Sequence, residues 1–284
     1  MKTKYMKTLN IFTLLNIVTM LFFGCIDYPI YERDYCNCGK IISLSTDWKE
    51  RGDDIDIPPS YTVKVGDYMN VFSGISNSIE HIFPAGKYII NIWNETDHIT
   101  ISNMIATANY TIGELGWLFS GRREVMIEKD REHSFIIVMQ QQIRQLTFEL
   151  EVADNVIYRY SSISATLSGV AGTLNIDDGT HDTPTIIALT FAENPEDNRW
   201  KASVRLLGIT GNSQTLTLIM NIADGHPSVH TFTSDLSSHL ASFNNDKKTP
   251  LTLSARLDGR QSGGELIAGI TDWIIEETST GTAD

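Results

Sequence analysis

The sequence predicts an all-β protein, built as two tandem sandwich or barrel units behind a processed N-terminal leader, and three observations carry that reading. From Gly39 onward apolar residues recur at every second position and almost never at helical spacing. Clusters of Gly, Asp, Asn and Pro punctuate these stretches at intervals of about ten residues. Ahead of them, the run from Leu9 to Cys25 carries no charge.

The leader comes first in the chain. Lys2, Lys4 and Lys7 precede the apolar run, no acid does, and the polar stretch from Asp27 to Asp34 follows it. Basic residues, a short apolar stretch and a small residue at the cut describe a secretory signal peptide over residues 1–24. Asn10, Thr13, Asn16 and Thr19 interrupt the run, which falls short of the ~20 apolar residues that a bilayer-spanning helix needs. Gly24-Cys25 resembles the lipobox of bacterial lipoproteins, in which the cysteine becomes the lipid-bearing first residue. Cys25 is therefore the expected lipid attachment site, and residues 25–38 the lipidated tether. From Ile26 the tether reaches at most about 40 Å, at roughly 3.3 Å per residue.

Removing residues 1–24, whose only charges are three lysines, takes the net charge from −13 to −16. Lys and Arg are what neutralise phosphates, so this balance excludes nucleic acid as a partner and a protein face lying on anionic lipid. Membrane attachment then rests on the acyl chains at Cys25. Cys36 and Cys38, the remaining cysteines, read as thiols or a local bridge, since no nearby His or Cys completes a zinc site.

Strands follow in order. Lys40 to Thr46 is the first, and Tyr61, Val63 and Val65 share one face of the second. Gly66-Asp67 makes a two-residue hairpin loop into the strand from Tyr68 to Phe72. Ile79 to Phe83, Lys87 to Trp93 and Ile99 to Met104 come next. Ala106 to Arg123 reads as irregular with a helical turn, because Gly113, Gly116 and Gly121 weaken any periodicity. After the strand from Ser134 to Met139, the polar Gln140-Gln141-Gln142 marks a boundary. The sequence thus divides into a first unit over residues 39–143 and a second over 144–284.

In the second unit Leu146, Phe148, Leu150 and Val152 alternate with Thr147, Glu149 and Glu151, a half-buried strand opening a new sheet. Further strands are expected at 161–168, 172–176, 185–191, 200–207, 214–222, 229–233, 251–257 and 266–275. One short helix is expected around Leu236 and Leu240, capped by Thr233 or Ser234 with Asp235 favouring its N-terminus.

No catalytic motif, phosphate loop or calcium loop is present, so the chain is read as a non-enzyme with no cofactor and no metal. His226 and His230 are four apart, but in a strand-rich stretch that spacing does not place both rings on one face. Asp177-Asp178 and Glu276-Glu277 are adjacent acids, whereas acid and base catalysis needs two carboxyl groups facing each other. Trp200 and Trp273 take core positions; Trp117, among glycines, has the best claim to exposure.

Several stretches together resemble a known family: Cys25, Ser45-Thr46-Asp47-Trp48, Phe83-Pro84-Ala85-Gly86-Lys87-Tyr88, Asn91-Ile92-Trp93-Asn94, and the run from Ala165 to Gly172. The family is the fimbrial anchor and accessory subunit lipoproteins of the Bacteroidales, with relatives of unknown function. The resemblance implies tandem transthyretin-like β-sandwiches and a surface-exposed outer-membrane lipoprotein, serving as an anchor, tip or accessory subunit of an adhesive fimbria. It also implies a fimbrial subunit as partner, joined by strand addition, with a host protein or glycan as further partner classes. The competing reading is a glycan-binding surface lipoprotein of a polysaccharide uptake system.

Overall fold

The computed structural model describes residues 37–153, 160–194, 199–223, 229–262 and 265–276. Cys25, Cys36 and the signal stretch lie outside them.

The first sandwich contains β1 (Cys38–Glu50), β2 (Tyr61–Val65), β3 (Tyr68–Phe72), β4 (Ser76–Asn77), β5 (Ile82–Pro84), β6 (Gly86–Trp93), β9 (Phe119–Ile127) and β10 (Glu132–Gln141). One sheet runs β3–β2–β6–β9, and the other joins β10 to β1, which β4 and β5 flank. The two sheets meet where β9 pairs with β10, only at Ser120↔Gln140 and Phe119↔Gln141. Beyond that corner the strands part, and side chains from both sheets fill the space between. Ile41, Leu44 and Ile137 from one meet Val63, Ile90 and Ile92 from the other, all essentially inaccessible. A register shift between Ile41 and Ser43 resets the alternation in β1, so residues three apart, Ile41 and Leu44, both face inward. At the β2–β3 turn Gly66 has φ +58 and Asp67 does not take positive φ, the pattern of a Gly-first hairpin loop.

The second sandwich contains β11 (Arg144–Val152), β12 (Tyr160–Asn175), β13 (His181–Asn194), β14 (Arg199–Leu206), β15 (Thr215–Ile222), β16 (Val229–Asp235), α1 (Ser237–Leu240), β17 (Leu251–Ser262), β18 (Glu265–Ile270) and β19 (Ile274–Glu276). Its sheet order is β16–β15–β12–β13–β14–β11–β17–β18. β13 turns the corner, since Ile187 and Phe191 pair with β12 while Ala192 to Asn194 pair with β14. Leu146, Phe148, Leu167, Leu218 and Leu253 form the centre of the core, with Leu236 and Leu240 packed onto it from around α1.

In both sandwiches the first strand pairs in parallel with a late one, β1 with β10 and β11 with β17. Every other named strand pairing among the described residues is antiparallel.

Between β6 and β9 the chain leaves the first sandwich. β7 (Ile99–Ser102) and β8 (Ile105–Ala108) form a hairpin, and β8 pairs with the far end of β12, Thr107 opposite Thr173. A third apolar cluster fills the junction, with Trp93, Leu115, Leu118 and Ile143 packed against Leu174, Ile176 and Leu207. Trp93 follows Ile92 on β6 and so points out of the first core, yet this junction leaves it only 7 % exposed.

Four sequence expectations change. The segment expected to be irregular from Ala106 to Arg123 holds the end of β8 and the start of β9. The strand expected over 79–83 shrinks to β5, preceded by the two-residue β4. Strands expected separately at 161–168 and 172–176 are one strand, β12, interrupted by a bulge between Leu167 and Val170 where Gly169 has φ +73. β16 runs on to Asp235, so Thr233 and Ser234 lie within it and cap nothing; the Asp235 carboxylate accepts from the Ser237 N–H instead.

Candidate functional site

Two features of the surface invite a partner: the free edge of the first sandwich and the cleft between the sandwiches.

Among the described residues β3 ends its sheet and pairs only with β2. The Gly66-Asp67 loop makes Val65↔Tyr68 the closing pair, so in an antiparallel ladder the backbone groups of Met69 and Val71 point away from β2, toward the open side. Their side chains are 63 % and 61 % exposed. The Val71 N–H is covered by its neighbour, since Asn70 Oδ1 accepts from it at 2.9 Å. No Pro, Lys or Arg occurs in the strand, the residues that usually protect an edge. The opposite edge is blunter: β4 and β5 have two and three residues, and β5 ends in Pro84.

The cleft lies where β9 and β10 part, is bounded on the other side by the β12–β13 turn and the loop before β17, and is an open space of about 1040 Å³. Arg123 spans the splayed strands, donating from Nη1 to the Ile136 carbonyl and lying over the Phe135 ring. Arg122 reaches across to the second sandwich and pairs with Asp177 Oδ1 at 3.0 Å, which Asn91 also contacts. Gln141, expected in a polar boundary, is instead a buried joint. Its Oε1 accepts from the Gly52 N–H, and its Nε2 donates to the Ile143 and Lys247 carbonyls. Lys247 Nζ donates to Gln142 Oε1 at 2.8 Å and lies 3.3 Å from His181 Nε2. Desolvation lowers the Lys247 pKa to about 8. Desolvation, then the nearby Lys247 charge, lowers His181 to about 4, so at neutral pH the ring is uncharged and its Nε2 can accept.

The other residues singled out from the sequence disperse. Asp177 and Asp178 sit in the β12–β13 turn, where Asp178 accepts from Thr180. Glu276 is on β19, and His230 on β16; Glu277 and His226 lie outside the described residues. Cys38 is disulfide-bonded at the start of β1. Trp48, Trp93, Trp200 and Trp273 are buried, and Trp117 is half-buried beneath the Arg205 guanidinium, 4.5 Å from its centre. Among the described residues no group of three or more His, Cys, Asp or Glu could hold a metal, and no helix is long and apolar enough to cross a membrane. Sequence reasoning missed Lys247 and His181. Only their coming together across 66 positions of chain distinguishes them from ordinary surface residues.

These features define a class: tandem β-sandwiches of all-β architecture, joined through a packed junction. No protein-family model and no curated protein matches the chain. Among solved structures, a candidate adhesin from Bacteroides ovatus is similar with a TM-score of 0.57 and 15% identity, over 84% of this chain and 98% of that one. The fimbrial anchor protein Mfa2 from Porphyromonas gingivalis is similar with a TM-score of 0.56 and 15% identity, over 84% and 97%. A candidate polysaccharide-binding protein from Bacteroides thetaiotaomicron follows at 0.56 and 12%, over 79% and 96%. The likeness is one of fold, and it falls on the same group of Bacteroidales proteins that the sequence resembles.

Proposed function

We propose that the protein is a non-enzymatic adhesion component of the cell surface: an outer-membrane lipoprotein held by lipid at Cys25, serving a fimbria as anchor, tip or accessory subunit. The observation that carries this reading is the fold it shares with a fimbrial anchor protein over nearly that protein's whole length. The β3 edge supports a mode of contact. It offers unpaired backbone groups beside exposed Met69 and Val71, which suits an incoming strand that pairs through its main chain and is selected through alternate side chains. Asn70 guards the Val71 N–H until that strand arrives.

Proline removes the N–H donor and is tolerated on an edge strand. In Met69→Pro the partner strand therefore loses a ladder hydrogen bond while the fold persists. The test mixes the detergent-solubilised full chain with synthetic terminal strands of the neighbouring fimbrial subunits. A strand that raises the melting temperature of the native chain and fails to do so for Met69→Pro supports the reading; no response to any strand counts against it.

A further inference from the structure

The cleft between the sandwiches gathers cations that the protein itself leaves uncompensated. Arg123, Lys247 and Lys248 all line it, and none has a carboxylate within 4.0 Å among the described residues, although the chain as a whole carries an excess of acids. Among the described residues Lys248 Nζ has only the Lys49 carbonyl, and Lys247 Nζ only the neutral acceptors Gln142 and His181. An ammonium has three donors, and drawing it out of water without a counter-charge is costly. Lys247 is therefore a partly desolvated cation with a donor to spare, opening on a cavity.

Of the acids on the same walls, Asp177 is paired with Arg122, while Asp178 and Asp246 accept only from neutral donors, Thr180 and the N–H groups of Lys248 and Thr249, and keep their charge, as does Glu50; the cations Arg123, Lys247 and Lys248 are paired with none of them. Gln140 and Asn245, also lining the cleft, have side chains engaged in no hydrogen bond within the described protein. The open cleft, of about 1040 Å³, is slightly larger than the roughly 300–1,000 Å³ usual for ligand pockets.

We propose that this cleft binds an acidic oligosaccharide of the uronic acid class, seating a sugar carboxylate on Lys247. Arg123 and Lys248 flank it with further positive charge, and the amides of Gln140 and Asn245 meet the hydroxyl groups. No tryptophan lines the cleft, so recognition runs through hydrogen bonds and charge, not ring stacking. The inference is independent of strand addition, because β3 lies at the opposite edge of its sheet from β9.

The test is calorimetry and thermal shift on the detergent-solubilised full chain with trigalacturonate, against neutral galactotriose. Expected are binding of the acidic sugar that weakens with added salt, at least tenfold weaker binding of the neutral one, and at least a tenfold loss in Lys247→Met. Arg123 holds no core position, so Arg123→Gln keeps the test decisive if Lys247→Met fails to fold; a loss of several-fold is expected there. Absence of trigalacturonate binding at millimolar concentration, equal binding of galactotriose, or native affinity in a folded variant overturns the proposal. Strand binding at β3 in the same preparation reports separately on the fimbrial reading.

Discussion

His181 makes the junction sensitive to acid. Its folded pKa of about 4 lies below the ordinary value of 6.5, so between those two the unfolded chain binds the proton and the folded one does not. Stability is therefore intact above pH 6.5 and is lost as pH falls toward 4. The ring is only partly buried, so the loss is of the order of 1–2 kcal/mol. Lys247 has the same sign in a different window. With a folded pKa of about 8 against 10.5, it opposes folding fully below pH 8 and is relieved between 8 and 10.5. Urea midpoints taken from pH 7 to pH 4.5 should fall more steeply for the native protein than for His181→Gln, whose amide oxygen still faces Lys247; parallel slopes would dismiss the role. At the other end of the chain, the proposed lipid on Cys25 makes a simpler prediction. In fractionated cells Cys25→Ser should leave the membrane pellet for the soluble fraction, and an unchanged distribution would sink the lipoprotein assignment.

At the scale of single elements, β12 shows how a sequence signal can be read and misread. Its bulge lets Ile163, Ala165 and Leu167 face the core and then shifts phase so that Val170 and Leu174 are buried as well. Gly169 supports that shift with φ +73, and a Cβ there would stand 2.5 Å from the Ser213 carbonyl. Gly169→Val is expected to cost about 2 kcal/mol or more from strain and collision together, read as a lower urea midpoint with the same denaturant slope. Strands such as β2, β6, β11 and β15 were legible because their apolar residues alternate along the sequence, even where, as at Thr62 in β2 and Asn91 in β6, the polar face is buried too. The β7–β8 hairpin was not, since its turn is Asn103-Met104, both at positive φ, and a methionine there carries none of the glycine signal that marks such turns. β9 was hidden for a different reason. Phe119, Ser120 and Gly121 are all buried where the sheets meet, so alternation vanishes at the corner, and the glycine needed for close approach to β10 reads as a breaker. The candidate cleft was still less legible, because Lys247 and His181 acquire their character only from what surrounds them.

For the whole molecule, the junction decides how the halves behave. A cut between residues 143 and 144, the boundary proposed from sequence, leaves β8 without its partner β12 and opens the cluster of Trp93, Leu118, Ile143 and Leu207 to water. Tyr110 adds to the tie, its hydroxyl donating to the Ala171 carbonyl and accepting from the Leu207 N–H. Residues 39–143 and 144–284 expressed separately should therefore be much less stable than the intact chain and should associate when mixed. Two independently stable fragments with no mutual affinity would show that the junction contributes little. The intact protein should unfold in a single transition by both calorimetry and circular dichroism.

The parallel pairing of β1 with β10, and of β11 with β17, has a mechanical meaning if the proposed lipid on Cys25 holds the chain by its N-terminus. Tension enters the first sandwich at Cys38 and leaves it from the far end of β10 into β11. Two parallel strands pulled from opposite ends slide along each other, so their hydrogen bonds carry the load together and none is peeled singly. The second sandwich meets a pull through β11 with the same arrangement. In the proposed anchoring role, a tether that runs through two such shear clamps in series would hold when its cargo is dragged by flow.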